Sequence, residues 1–169
     1  AAAAPTQGLS LSETAVRVLD ESVYMIVGDR AAKPRPGQSM LLGDLVAAML
    51  DPGHGQAQGE APTGVGKSAT YLAAAAAAVA VRGERSVVST ESLALQAQIV
   101  DKDAPIVMAA CEEVTGYRPQ VAVLKGWANY VCSTAVVDSA NDFLNLLGRK
   151  GDGQPKALLT KFEKAVVAK

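Results

Sequence analysis

The stretch Ala61-Pro-Thr-Gly-Val-Gly-Lys-Ser68 limits what this chain can fold into more than any other. Gly64 and Gly66 allow backbone torsions and close approaches that a side chain would block. With small residues around them, successive backbone N–H groups can turn inward toward phosphate oxygens. Lys67 carries a point charge to the β- and γ-phosphates of a nucleotide, and the Ser68 hydroxyl is placed to ligate Mg2+. A helix opening at about Lys67 adds its N-terminal partial positive charge beneath the phosphates. The following residues meet that demand, because Ser68 to Val81 holds a long alanine run with Leu72 and Val79 and no breaker. The strand expected ahead of the loop, Gln56 to Glu60, is unusually polar.

Composition sets the outer bounds. With 169 residues, 49% hydrophobic and 20% charged, the chain is long enough for one cored domain. A net charge of −1 argues against a surface that is basic throughout, while leaving room for a local basic groove. Cys111 and Cys132 are too few for a disulfide scaffold. The longest apolar run, Leu72 to Val81, is too short to span a membrane and reads as a buried helix. Ala1 to Pro5 has no basic region of the kind that opens a signal peptide, and the expected compartment is the cytoplasm.

Taken in order, Ser10-Leu-Ser-Glu13 has the capping-box pattern, and Ala15, Val16, Leu19 and Val23 follow at helical spacing. This predicts a helix from about Leu11 to Ile26, ended by Gly28 and Asp29. Pro36 is suited to the first position of a second helix, whose stripe is Leu41, Leu42, Leu45, Val46, Met49 and Leu50. Turn chemistry at Asp51 to Gly55 stops it, and His54 within that turn is assigned no role. Beyond the alanine helix, Ser86 to Thr90 and Gln120 to Leu124 read as short buried strands. A helix around Leu93 to Val100 lies between them, with another from Asp103, carrying Pro105 in its first turn, to Thr115. Strands alternating with helices imply parallel strands in a layered α/β sheet with right-handed crossovers. Later, Ser139 to Leu147 reads as helix, Gly148 to Pro155 as linker, and Lys156 to Val167 as a short amphipathic helix. Phe143 to Lys169 carries six Lys/Arg against two Asp/Glu, which reads as a solvated face or a weak nucleic-acid patch.

Three further stretches carry chemistry. Arg35-Pro-Gly-Gln38 offers a guanidinium and a side-chain amide, the groups needed to read an adenine edge. Ser89-Thr90 through Gln96 and Gln98 offers hydroxyls and amides at a helix start, able to hold phosphates without reading sequence. Lys125-Gly-Trp-Ala-Asn-Tyr-Val-Cys132 combines a cation, two aromatics and a thiol. Cys111 reads as a small core residue.

With RPGQ, EAPTGVGKS, STESLALQAQIVDKDAP and KGWANYVC in this order, residues 34–132 resemble the first motor lobe of DinG/XPD-like DNA helicases of superfamily 2. The resemblance implies an incomplete RecA-like lobe with parallel strands flanked by helices, followed by a mainly helical C-terminal segment. It divides the chain into an N-terminal helix and connector (1–33), the lobe (34–125) and the start of an Fe–S/helical insertion (126–169). By the same resemblance, Gln38 with Arg35 would recognise adenine, and Thr63, Gly64, Val65 and Gly66 would wrap the phosphates of ATP. Lys67 would act at the β/γ end, and Ser68 would hold Mg2+. Ser89, Thr90 and Gln96 would lie along single-stranded DNA followed with 5′→3′ polarity. Cys132 would be the first of four ligands to a 4Fe-4S cluster, in one segment with Lys125, Asn129 and Tyr130. Trp127 stands where such helicases often have arginine, and Ala32 where an adenine-stacking aromatic often sits.

No D-E-x-H sequence follows the loop, and only one of the four cluster cysteines is present. Hydrolysis needs a carboxylate near Mg2+ and a cation for transition-state charge, and one thiolate cannot hold a cluster unless a longer chain supplies the missing cysteines. The chain therefore reads as the first third or so of a helicase, binding ATP without unwinding alone, its partner a missing second lobe or another protein. The alternatives are a stand-alone module that binds nucleotide or a partner protein as a regulator, and a small P-loop kinase, which leaves RPGQ and STESLALQ unexplained.

Overall fold

The computed structural model describes residues 8–51, 53, 55–130 and 132–148. Among these the regular structure is helical: α1 (Leu11–Val27), α2 (Pro36–Leu50), α3 (Lys67–Arg82), α4 (Leu93–Gln98), a π-helical turn (Ile99–Asp103), α5 (Ala104–Thr115), a 3-10 turn (Trp127–Asn129) and α6 (Ser133–Gly148). The linker expected after Gly148 and the amphipathic helix expected at Lys156 to Val167 lie outside the described residues, as does His54.

The α/β expectation is overturned, since no strand and no sheet occur among the described residues. The segments read as strands at 56–60, 86–90 and 120–124 run without ladder partners, and their apolar side chains face solvent. Val87 is 91% and Leu124 86% exposed. The reason is a competition for the core. A five-residue strand gains stability only through neighbours on its edges, whereas α3 is covered by α1, α2 and α5. Those helices close the apolar interior without a sheet.

Helix α3 can be covered so fully because its side chains are small. Ala73, Ala74, Ala77 and Ala80 are buried to 0–1% exposure, with Thr70 and Leu72 beside them. Against them lie Ala15, Val18 and Leu19 of α1, Leu42 and Val46 of α2, and Val107, Ala110 and Cys111 of α5. Burying each Val or Leu contributes about 1.5–3 kcal/mol.

Caps fix the helix ends. The Ser10 hydroxyl accepts from the Glu13 amide at 3.2 Å while a Glu13 carboxylate oxygen accepts the Ser10 N–H at 3.0 Å, completing the capping box at α1. Arg82 at the end of α3 donates to the Met49 carbonyl near the end of α2 at 3.0 Å. Asp51 ends α2, and its carboxylate accepts from the Gly53 amide at 2.8 Å. The described residues fall into two compact units that divide between Ala122 and Val123, the second containing α6. None of the described helices is long and apolar enough to cross a membrane.

Two outcomes test this packing. Ala77→Leu forces a larger side chain into the alanine face and lowers unfolding stability by about 1–3 kcal/mol in urea titrations followed by circular dichroism. Hydrogen bonds from the Ser10 hydroxyl and amide hold the Glu13 carboxyl below its usual range. Its contribution to stability is therefore present above the ordinary carboxylate range and is lost as pH falls through the lowered value. Ser10→Ala removes most of this pH dependence in acid titrations of wild type and variant.

Candidate nucleotide-binding site

The loop before α3 is held from beneath by the start of α2. Pro36 opens α2 with Arg35 extended just before it. This geometry turns the Gln38 side chain back, so that its Oε1 accepts the Arg35 N–H at 2.9 Å. The other end of the same amide donates to the Gly66 carbonyl at 3.4 Å. Arg35 Nη1 donates to the Gly64 carbonyl at 2.6 Å. Gln38 is buried, so both side chains read as adenine-facing are engaged with loop backbone.

Gly66 is the pivot. Its φ of 88° is left-handed, and a Cβ built there would stand 2.5 Å from Gln38 Nε2. The torsion disfavours any side chain, and a Cβ would push the Gln38 amide off the Gly66 carbonyl. Gly64 is also left-handed, with φ 81°. The Gly66 carbonyl accepts the Thr70 amide at 3.3 Å and the Thr70 hydroxyl at 3.2 Å, locking the first turn of α3. Thr70 belongs to none of the sequence motifs, although its place four residues after Gly66 is the spacing for a hydroxyl-to-carbonyl bond within a helix.

No side chain caps α3. The amides of Lys67, Ser68 and Ala69 precede its first intrahelical bond and carry the helix's positive end. Lys67 Nζ donates to the carbonyls of Ala61 and Pro62, the latter at 3.1 Å, so the ammonium stays within the loop. Val65 and Ser68 are half-buried, and Thr63 is exposed. Thr63 through Ser68, Arg35 and Gln38 thus form one connected group.

The residues expected along DNA form a second group, on the approach to α4. Ser89 is exposed, Thr90 is half-buried with its hydroxyl donating to the Ser92 carbonyl at 3.3 Å, and Gln96 is half-buried on α4. Ser92 caps α4, its hydroxyl accepting the Leu95 amide at 3.2 Å.

In the unit 123–169, the Lys125 amide donates to the Tyr130 hydroxyl at 2.9 Å, and exposed Cys132 precedes α6 with its carbonyl accepting the Val136 amide at 3.0 Å. Asn129 closes the 3-10 turn onto the Gly126 carbonyl at 2.9 Å. Cys111 is in the core as expected, 0% exposed, with its Sγ 3.8 Å from the Ala76 carbonyl and 3.7 Å from the Thr115 hydroxyl. Burial pushes its thiol pKa up. A 4Fe-4S cluster requires four thiolates, and this chain offers one exposed cysteine and one enclosed in alanine packing. The residues present do not fit that group. Among the described residues, no three His, Cys, Asp or Glu side chains are placed to hold a metal.

A cation-bearing glycine loop leading into uncapped helix amides is an arrangement suited to an anionic phosphate. Its sequence has relatives. The chain is 32% identical over 129 residues to the ATP-dependent helicase DinG of Mycobacterium tuberculosis, an alignment covering 76% of this chain and 19% of that protein. It is 36% identical over 98 residues to the 3′-5′ exonuclease DinG of Bacillus subtilis, covering 58% and 10%. It is 42% identical over 73 residues to the ATP-dependent DNA helicase YoaA of Escherichia coli, covering 43% and 10%. No family profile matches the chain. No solved structure matches it either. Over the aligned length the chain is similar to DinG-like helicases, and it spans about a fifth or less of the length of these relatives.

Two measurements check the geometry. Gly66→Ala strains the pivot and displaces Gln38, lowering stability by about 1–3 kcal/mol in thermal unfolding. A maleimide label reacts with Cys132 in the native chain and reaches Cys111 only after denaturation, as mass spectrometry of the labelled peptides reads out.

Proposed function

We propose that this chain supplies the ATP-binding part of a DinG-like ATP-dependent DNA helicase. The single observation supporting this most is the connected group of Arg35, Gln38 and the loop Thr63–Ser68 at the uncapped start of α3. On this reading, Lys67 exchanges its two carbonyl partners for the β/γ-phosphate oxygens, while the amides from Gly64 to Ala69 receive the remaining charge. Ser68 supplies a hydroxyl to Mg2+, which when bound offsets phosphate charge. Arg35 and Gln38 hold the Gly64 and Gly66 carbonyls before ATP arrives, and read the adenine once binding frees their polar ends from those carbonyls. Single-stranded DNA passes Ser89, Thr90 and Gln96 with 5′→3′ polarity, held by hydroxyl and amide groups rather than by base edges.

Hydrolysis and unwinding require groups beyond those in this sequence. No D-E-x-H carboxylate pair follows the loop, so this chain alone binds ATP without turning it over, and a second motor lobe completes the reaction.

Calorimetric titration of Mg·ATP into the purified chain tests the reading, beside Lys67→Ala. Loss of the charge-assisted bonds weakens binding by about tenfold or more. Equal affinity in the two proteins, or no binding in either, would overturn it.

A further inference from the structure

The helix running from Leu93 to Thr115 changes register at its middle. At Ile99–Asp103 the hydrogen bonding widens to a π-turn, with the Ala104 amide bonded to the Ile99 carbonyl, five residues back. The cause is Pro105. It has no N–H to give the Asp101 carbonyl, and its ring excludes that carbonyl from the normal position. Widening the turn carries the chain past the proline without breaking the helix.

The register decides which side chain faces the core. Each residue turns an α-helix by about 100°. In an unbroken α-helix, Val100, four before buried Ala104, would share its face, and Ile99 would point away by about 140°. The structure has the reverse, with Ile99 6% exposed and Val100 only half-buried. Val100 could replace Ile99 at small cost, one β-branched apolar side chain for another. Packing alone therefore selects weakly between the registers, and the proline selects strongly.

We propose that Pro105 is a positioning residue for the nucleic-acid-facing group: through the π-turn it sets the angle at which α4 presents Gln96. This rests on the DNA reading given above. Without the π-turn, Leu93–Gln98 would be rotated by about 100° relative to α5, carrying Gln96 away from its present direction.

Deletion of one residue from a π-turn returns it to α-helix while keeping the angle of everything before it, which provides a rescue. Four forms of the chain are titrated against labelled single-stranded oligo-dT: wild type, Pro105→Ala, Asp101→Ala with Pro105→Ala, and deletion of Asp101 with Pro105→Ala. The last two carry the same charge change, so their difference reads angle alone. The expected result is a loss of about tenfold in DNA affinity for Pro105→Ala and for the double substitution, recovered by the deletion, with Mg·ATP affinity unchanged throughout. Equal DNA affinity across the four, while Gln96→Ala weakens binding, would overturn the proposal and leave the DNA reading standing. Absence of oligo-dT binding by wild type, or no effect of Gln96→Ala, would overturn both. Loss in the deletion form as large as in the double substitution would also overturn it, because angle would then not be the cause.

Discussion

The close approach of α1, α2 and α5 to the alanine face of α3 is the constraint on which the rest of the structure depends. Methyl groups let neighbouring backbones come near, and they lose no rotamer freedom on burial. The bulk needed to fill the interior is then supplied from the other side, by Val18, Leu19, Leu42, Val46, Val107 and Met108. A core assembled this way tolerates little enlargement at α3. It also fixes the direction in which α3 begins, and therefore where the loop ahead of it must arrive.

From that fixed starting point, the loop is shaped by bonds to backbone rather than by bulk. The Gly64 and Gly66 carbonyls are each taken by a side chain from the start of α2, and the first turn of α3 adds Thr70 to the second of them. Such bonds hold a loop in one conformation before any ligand arrives, which reduces the ordering cost of binding. The same features explain why α2 must begin where it does. Pro36 sets the entry, Gln38 folds back, and Gly66 leaves space for the amide.

Local signals were legible in the sequence and non-local ones were not. The Ser10–Glu13 box, Pro36 at a helix start, the glycine loop and the alanine helix are set by residues within a few positions of one another, and each falls where its pattern places it. The capacity of RPGQ to meet the loop was visible as a pair of polar groups, but their grip on the Gly64 and Gly66 carbonyls depends on helices folding together. Ser86–Thr90 and Gln120–Leu124 have strand-like composition, yet a strand exists only through partners, and α3 is covered by helices instead. By residue type Pro105 marks the first turn of a separate helix, since a proline ordinarily ends the helix before it. The π-turn accommodates it, and that option leaves no mark in residue type.

The exposed side chains of the extended segments have a colloidal consequence. Val87, Val88, Val121 and Leu124 stand in solvent on backbone that has no ladder partner. The chain's net charge of −1 gives little long-range repulsion to keep copies of it apart. Contact between molecules is then governed by short-range apolar attraction, which is least opposed by charge repulsion where the net charge vanishes, near pH 5.9. Solubility should accordingly pass through its minimum on the mildly acidic side of neutrality and rise as the solution is made alkaline.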